Sequence, residues 1–361
     1  MLDAAQQICP KHMLNGPCGG VSPGGGCEVD AALPCPYLAI TKSLSWRAPR
    51  VPSGRPPQRS AGRLEATLRR GEFALIAEAY TPDSADLGGL VRRYTAFDQR
   101  ITAINIADHA LATPHTSTLA AAAIFERHGL ETIVNLTCRD RNRIALQGEI
   151  LGAAALGVSN LFCITGDHPQ LGDHPDATPV YDLDSLQLLA LGRRLCDEGR
   201  LLSGRPLDVA PQLMLGAAAN PFTPPVELQA ERVAAKVAAG ADFIQTQAIF
   251  DIDRLEQFVD QLRQHGALDR AWLIVGVAVV VSLEAALWLQ HNVPGAHVPD
   301  ALIERLRRTP EAARRGAGLA ATAELIERLR TIDGISGALL FPLLDDVAAL
   351  GELLELLPSM K

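Results

Sequence analysis

Eight short β-rich runs recur along the chain, and each is followed by a longer stretch with helical apolar spacing. The runs are ALIAEAY from 74, ITAINIA from 101, ETIVNLTC from 131, SNLFCIT from 159, PQLMLGAAA from 211, DFIQTQA from 242, WLIVGVAV from 272 and GALLFPL from 337. Between them lie segments such as SLQLLALGRRLC from 185 and PPVELQAERVAAKVAAGA from 224, and DVAALGELLELL follows the last run from 346. Gly129, Gly157, Gly240 and Gly266 each close a helical segment shortly before the next run, the position glycine favours at helix C-termini. Strands separated by helices pair in parallel, and eight such repeats predict a (β/α)8 TIM barrel with its active site at the C-terminal strand ends. An open doubly wound sheet is the competing fold, but no GxGxxG turn follows the first run.

The repeats begin only after two segments of different character. Residues 41–63, TKSLSWRAPRVPSGRPPQRSAGR, carry Pro49, Pro52, Pro56 and Pro57, six basic residues and no acid, which is linker composition. Residues 1–40 are a cysteine-rich module and residues 64–361 the barrel. A net charge of −8, with 33 Lys and Arg spread among 41 acids, gives no basic patch for nucleic acid. The start, MLDAAQQICP, lacks a signal-peptide core, and the longest apolar run, Trp272 to Val281, is too short for a membrane span, so a cytoplasmic protein is expected.

Polar residues gather at the predicted strand ends: Glu78 with Tyr80, Asn105 with Asp108, Asn135, Thr137, Thr165, Asp167 with His168, Asn220, and Gln245 with Gln247. Glu78 is flanked by apolar residues within its strand, where partial desolvation raises a carboxyl pKa and makes a general acid. Asp167 follows Gly166, whose freedom at φ permits a tight turn and close ligand approach. Gln247 offers both donor and acceptor to a heterocycle edge. Two carboxylates and an amide facing one cavity suit a neutral heterocycle that must be oriented and protonated once. No G-x-S-x-G elbow or H-E-x-x-H zinc motif occurs.

The pieces IAEAYTPDSAD, NLTCRDRNR, GVSNLFCITGDHPQLGDHP, VYDLDSLQLL, KVAAGADFIQTQAIFD and GVAVVVS, in that order, resemble methylenetetrahydrofolate reductase. The resemblance implies an oxidoreductase of one-carbon metabolism, linked to methionine biosynthesis. It would reduce 5,10-methylenetetrahydrofolate to 5-methyltetrahydrofolate with NADH or NADPH, hydride being relayed by FAD. It also implies that Glu78 protonates N10, that Asp167 orients the pterin and stabilises positive charge, and that Gln247 contacts folate. Asn220 is a further folate-binding candidate, and Asn105, Asn135, Thr137, Thr165, Gly166 and Lys236 are the cofactor positions. Asn135 stands where the family commonly has histidine, Thr165 where an arginine often precedes GD, and Ala235 where a second basic residue is usual. These departures fall on flavin positions, so a flavin-free reductase with direct hydride transfer is one alternative. A non-catalytic subunit that binds folate or a redox partner is another.

The first forty residues place Cys9, Cys18, Cys27 and Cys35 with eight, eight and seven residues between them, joined by Gly and Pro turns. Four thiolates suit structural zinc or an iron–sulfur cluster, with His12 able to replace one cysteine. The NGPCGG…CEV…PCPY pattern resembles a small domain that extends or partners acetogen methylenetetrahydrofolate reductases, and hints at docking of a redox or methyltransferase protein. Association of the barrel into a homo-oligomer is also expected.

Overall fold

The computed structural model describes residues 2–38, 50–97, 100–292 and 297–358. Strands β1 (Ala74–Ala79), β2 (Ala103–Ile106), β3 (Thr132–Thr137), β4 (Asn160–Ile164), β5 (Met214–Ala219), β6 (Phe243–Ala248), β7 (Trp272–Val279) and β8 (Ile335–Pro342) close into a barrel in chain order. Every pairing is parallel, and β1 joins β2 through Glu78 and Asn105 and β8 through Ala74 and Gly337. All eight runs expected from the sequence form these strands. Each is apolar on both faces because one packs inside the barrel and the other beneath helices.

Along each strand alternate side chains point inward. Ala74, Ile76, Ala103, Ile133, Phe162, Met214, Phe243, Trp272, Ile274 and Leu339 form one internal apolar cluster with Leu64 and Leu68 of the first barrel-side helix, α2 (Arg63–Arg69). That helix is fixed beneath the strands by Glu131, whose Oε1 accepts from the Leu64 amide at 2.9 Å. Gly216 makes room for the layer above: a Cβ there would lie 2.3 Å from the Phe243 ring and 2.8 Å from Phe162. These two rings stack with centroids 6.3 Å apart.

The outer layer is α3 (Gly88–Thr95), α4 (Thr118–Arg127), α5 (Arg143–Ala155), α6 (Ser185–Arg193), α7 (Gln229–Ala238) and α8 (Ile252–Gln264). Three helices, α9 (Leu283–Asn292), α10 (Asp300–Arg308) and α11 (Glu311–Thr331), intervene before β8, and α12 (Val347–Leu356) closes the ring. Among the described residues no helix is long and apolar enough to cross a membrane.

Part of the expected linker, residues 41–49, lies outside the described residues. The rest is bound to the barrel. Buried Glu65 accepts from the backbone amides of Arg59 and Ser60, Arg59 pairs with Asp242, and the Arg55 guanidinium lies 4.5 Å over the Trp272 ring.

The head, residues 2–38, starts with α1 (Leu2–Ile8). It continues through two isolated antiparallel bridges, Val21 to Cys27 and Gly26 to Pro34. Ala5, Cys9, Met13, Val21, Cys35 and Tyr37 pack into a small apolar core of their own. The head rests on the barrel at the C-terminal end of β4 and the N-terminus of α6.

Candidate active site

Above the internal apolar layer, the inward positions turn polar: Glu78, Asn105, Asn135 and Gln245 are all buried. Glu78, only 5% exposed, accepts a hydrogen bond at Oε2 from Asn105 Nδ2 at 2.5 Å. Burial disfavours the carboxylate more than this one bond favours it, so the Glu78 pKa is pushed up to about 8. The side chain is therefore largely protonated at neutral pH and holds a transferable proton. The Oδ1 atoms of Asn105 and Asn135, and both amide atoms of Gln245, are buried without a hydrogen-bond partner. Such orphans are uncommon in native interiors and mark places where a polar ligand completes the bonding.

At the end of β4 the chain turns at Gly166 with φ +91°. A Cβ at Gly166 would meet Thr137 at 3.1 Å and Arg139 at 3.3 Å, so both conformation and space require glycine. The Asp167 carbonyl accepts from Tyr181 Oη at 3.0 Å and from Arg139 Nη1 at 3.3 Å. Tyr181 is itself held in the left-handed region at φ 39° and stacks on His168. Beside this turn, Asp108 accepts from the Thr137 amide and hydroxyl and pairs with Arg141 at 2.7 Å. That cation and those bonds hold the Asp108 carboxyl below its usual range despite burial.

Gln247 is exposed near the end of β6, within a register shift against β7 between Gln245 and Ala248. The shift depends on Gly276, where a Cβ would lie 2.4 Å from the Thr246 carbonyl oxygen. Gln245, one inward position deeper, is buried with both amide atoms unpartnered. Asn220 follows β5 directly. Thus Glu78 and Asn105 meet inside the barrel, Asn135 and Gln245 are buried at inward positions of β3 and β6, Asp167 and Thr165 stand on the β4 turn, and Gln247 is exposed near the end of β6.

The expected cofactor positions are mostly engaged within the protein. Asn105 Nδ2 is given to Glu78, the Thr137 hydroxyl to Asp108, and Thr165 Oγ1 accepts from the Ser185 amide. Lys236 donates to the Ala218 carbonyl at 2.6 Å, and enclosure, with Arg232 nearby, pushes its ammonium down to about 7. A dinucleotide needs cationic or amide partners for its pyrophosphate. Lys11 is paired with Glu28, Arg139 with Asp140 and Arg141 with Asp108. Arg232 Nη1 is buried without a hydrogen-bond partner, with Lys236 beside it and Asp184 as its nearby carboxylate, and burial lowers its pKa. The other cations near the β4 turn are already paired, whereas the orphaned amides fit a neutral heterocycle.

The four head cysteines carry free thiols. Among the described residues no group of three or more His, Cys, Asp and Glu side chains is placed to hold a metal ion. Cys9 and Cys35 are drawn into the apolar core of the head. Cys18 instead donates to Glu28 at 3.9 Å, and burial pushes its thiol up to about 11. Cys9 and Cys27 both lie near enough to Cys35 to push its thiol further up, after burial.

Several residues of the site were not singled out from the sequence: Lys11, Arg139, Tyr181, Asp184 and the full weight of Gln245. Tyr181 and Asp184 fall in VYDLDSLQLL, and the Asp184 to Gln187 spacing reads as a helix capping box, which the structure forms at α6. Nothing in that signature reveals the second use of Asp184, whose Oδ2 accepts from the Leu14 amide, the Asn15 amide and Asn15 Nδ2 of the head.

With this geometry, comparison with known proteins is specific. Residues 4–49 match the family model described as methylene-tetrahydrofolate reductase C terminal, here at the beginning of the chain. A probable methylenetetrahydrofolate reductase (NADPH) of Caenorhabditis elegans is 25% identical over 175 residues, which is 47% of this chain and 24% of that protein. Methylenetetrahydrofolate reductase 2 of Saccharomyces cerevisiae is 26% identical over 195 residues, 50% of this chain and 29% of that protein. The matches therefore span only a quarter to a third of those relatives. Among solved structures, an uncharacterized protein from Clostridium thermocellum, described as binding two copies of 5-methyl-5,6,7,8-tetrahydrofolic acid, shares the fold with TM-score 0.54 and 13% identity, over 81% of this chain and 96% of that one. Residues 63–344, the whole barrel from α2 to just past β8, match the model for methylenetetrahydrofolate reductase, and the chain belongs to that family.

Proposed function

We propose that the protein reduces the methylene bridge of 5,10-methylenetetrahydrofolate to the methyl group of 5-methyltetrahydrofolate, with reduced nicotinamide as the hydride source. The observation that carries this reading is Glu78, a buried acid still protonated near neutrality and set among amides with free polar atoms. Proton transfer from Glu78 to N10 makes that nitrogen a leaving group. The N10–methylene bond breaks and leaves a 5-iminium cation. Asp167, on its rigid turn, supplies negative charge beside the cation, a preorganised stabilisation that costs no reorganisation in the transition state. Hydride addition to the iminium carbon completes the methyl group and releases oxidised nicotinamide. Asn135 and Gln245 suit the polar edge of the pterin, and Gln247 the more exposed part of the folate.

Membership of the family and the folate described for the Clostridium thermocellum protein support a reduced folate as substrate. FAD is the cofactor that the family implies, but with the cations near the β4 turn paired internally we route no step through it, and none through a metal in the head. The decisive experiment is anaerobic purification of the full chain, with absorption spectrum and metal analysis, followed by assay of NADH and NADPH oxidation with methylenetetrahydrofolate. Substrate-dependent oxidation by flavin-free protein is the expected result. Stoichiometric flavin bands would restore the relay, and no oxidation under either condition would remove the reading.

A further inference from the structure

We propose that Lys11 of the head is a positioning residue for the catalytic turn of the barrel: its ammonium holds the Gly166–Asp167 backbone so that the Asp167 carboxylate stays unbonded. The proposal rests on the reading of Asp167 as the carboxylate beside the folate.

Lys11 is only 6% exposed, and Nζ donates to the Gly166 carbonyl at 2.9 Å, across 155 residues of sequence. Tyr181 Oη also reaches the Gly166 carbonyl, at 3.4 Å, and the next carbonyl, that of Asp167, accepts from Tyr181 and Arg139. Three donors from three separate segments, the head, the loop before α6 and the loop after β3, thus hold two consecutive peptide groups. Gly166 reaches this geometry only because it lacks a side chain. Among the described residues nothing donates to the Asp167 carboxylate, so the clamp fixes its backbone without consuming its acceptors.

The charge of Lys11 is also managed. An unpaired ammonium beside Asp167 would compete with the cation that forms on the substrate. Glu28 pairs with Lys11 directly, leaving the hydrogen bond to Gly166 with little net charge. Glu28 can reach this place because Gly20 has no Cβ, which would otherwise lie 1.5 Å from its Oε2. The head is kept in register by Asp184, which binds the backbone at Leu14 and Asn15, one helical turn in sequence beyond Lys11. A module that fitted the barrel only as a stability cap would not need a buried cation aimed at a carbonyl next to the site.

The test uses the full chain and compares Glu28→Gln with the double variant Lys11→Met/Glu28→Gln, which removes the buried pair together and leaves no lone charge. Glu28→Gln keeps the Gly166 bond but leaves the ammonium unpaired beside Asp167, so kcat is expected to fall by less than in the double variant, about threefold. The double variant is expected to lose about tenfold or more in kcat with a smaller change in KM, because misplacing a catalytic group by about 1 Å costs rates of this order. Hydrogen exchange is read at the amides bonded around the turn, those of Cys138, Tyr181 and Ser185, which donate to the Ile164 carbonyl, the Cys138 carbonyl and Thr165 Oγ1; it should accelerate in the double variant and not in Glu28→Gln. If the double variant fails to fold, Lys11→Ala is measured with and without added propylammonium, which refills the ammonium position; recovery of kcat and of protection at these amides supports the clamp, and no recovery overturns it. Wild-type kcat and unchanged exchange at these amides in the double variant also overturn it. Absence of turnover in the wild type strikes the proposed function instead, and exchange at these amides still decides the clamp.

Discussion

At the residue scale the proposed reaction turns on the proton of Glu78. Glu78→Gln should lower kcat by about 10²- to 10⁴-fold, the usual worth of a general acid, while folate binding, measured by equilibrium titration, changes by about threefold at most. In the wild type, kcat/KM should fall as pH rises through about 8, where Glu78 loses its proton. Asn105 favours the ionised form through its Nδ2 bond, so Asn105→Leu should move this alkaline limb to higher pH. The stability effect has a defined sign. The folded pKa lies above the unfolded value of 4.5, so the folded state binds more protons between these limits. Stability is lost as pH rises from about 4.5 to about 8, and Glu78→Gln, which carries no such penalty, should gain in Tm relative to wild type over that window. Glu78 was legible from sequence as an acid enclosed by apolar neighbours. Its bond to Asn105 was not, because the two are 27 residues apart and meet only when β1 and β2 pair in register.

At the scale of elements, Gly166 after β4 and Gly276 in β7 shape the mouth. Gly276 accepts the β6 carbonyls so closely that Gly276→Ala should cost about 1–3 kcal/mol, read as a lower denaturant midpoint, since neither backbone oxygen can retreat without breaking the β6–β7 ladder. The eight strands could be read from periodicity because each is a short apolar run bounded by turn signals. The burial of the two amides could not: strand alternation puts Gln245 and Gln247 on one face, yet Gln245 is buried and Gln247 exposed, with a register shift of β6 against β7 between Gln245 and Ala248. The extra helices α10 and α11 were likewise hidden, since their amphipathic patterns do not state where they enter the repeat.

For the whole molecule, the head and barrel act as one body through Asp184. One of its carboxylate oxygens caps α6 and the other binds three donors of the head. Asp184→Ala should therefore cost about 2–4 kcal/mol, combining a lost cap with several unmade buried bonds. Hydrogen exchange should localise the loss to the head and the first turn of α6. The same contact brings Lys11 to Gly166 and places Cys18 near Arg232.

The sequence by itself determined the repeat number, the parallel barrel, the buried acid and the family, because these depend on periodicity, local chemistry and ordered motifs. Only the tertiary structure decided which polar atoms remain free. Lys236 is basic in any reading of the chain, yet enclosure and the Ala218 carbonyl engage it. Cys18 is evenly spaced with the other cysteines, yet packing turns it toward Glu28. Lys11, far from the barrel motifs in sequence, lies against the turn after β4. Residue type sets what a group can do, but desolvation and long-range pairing set which of its bonds are already made.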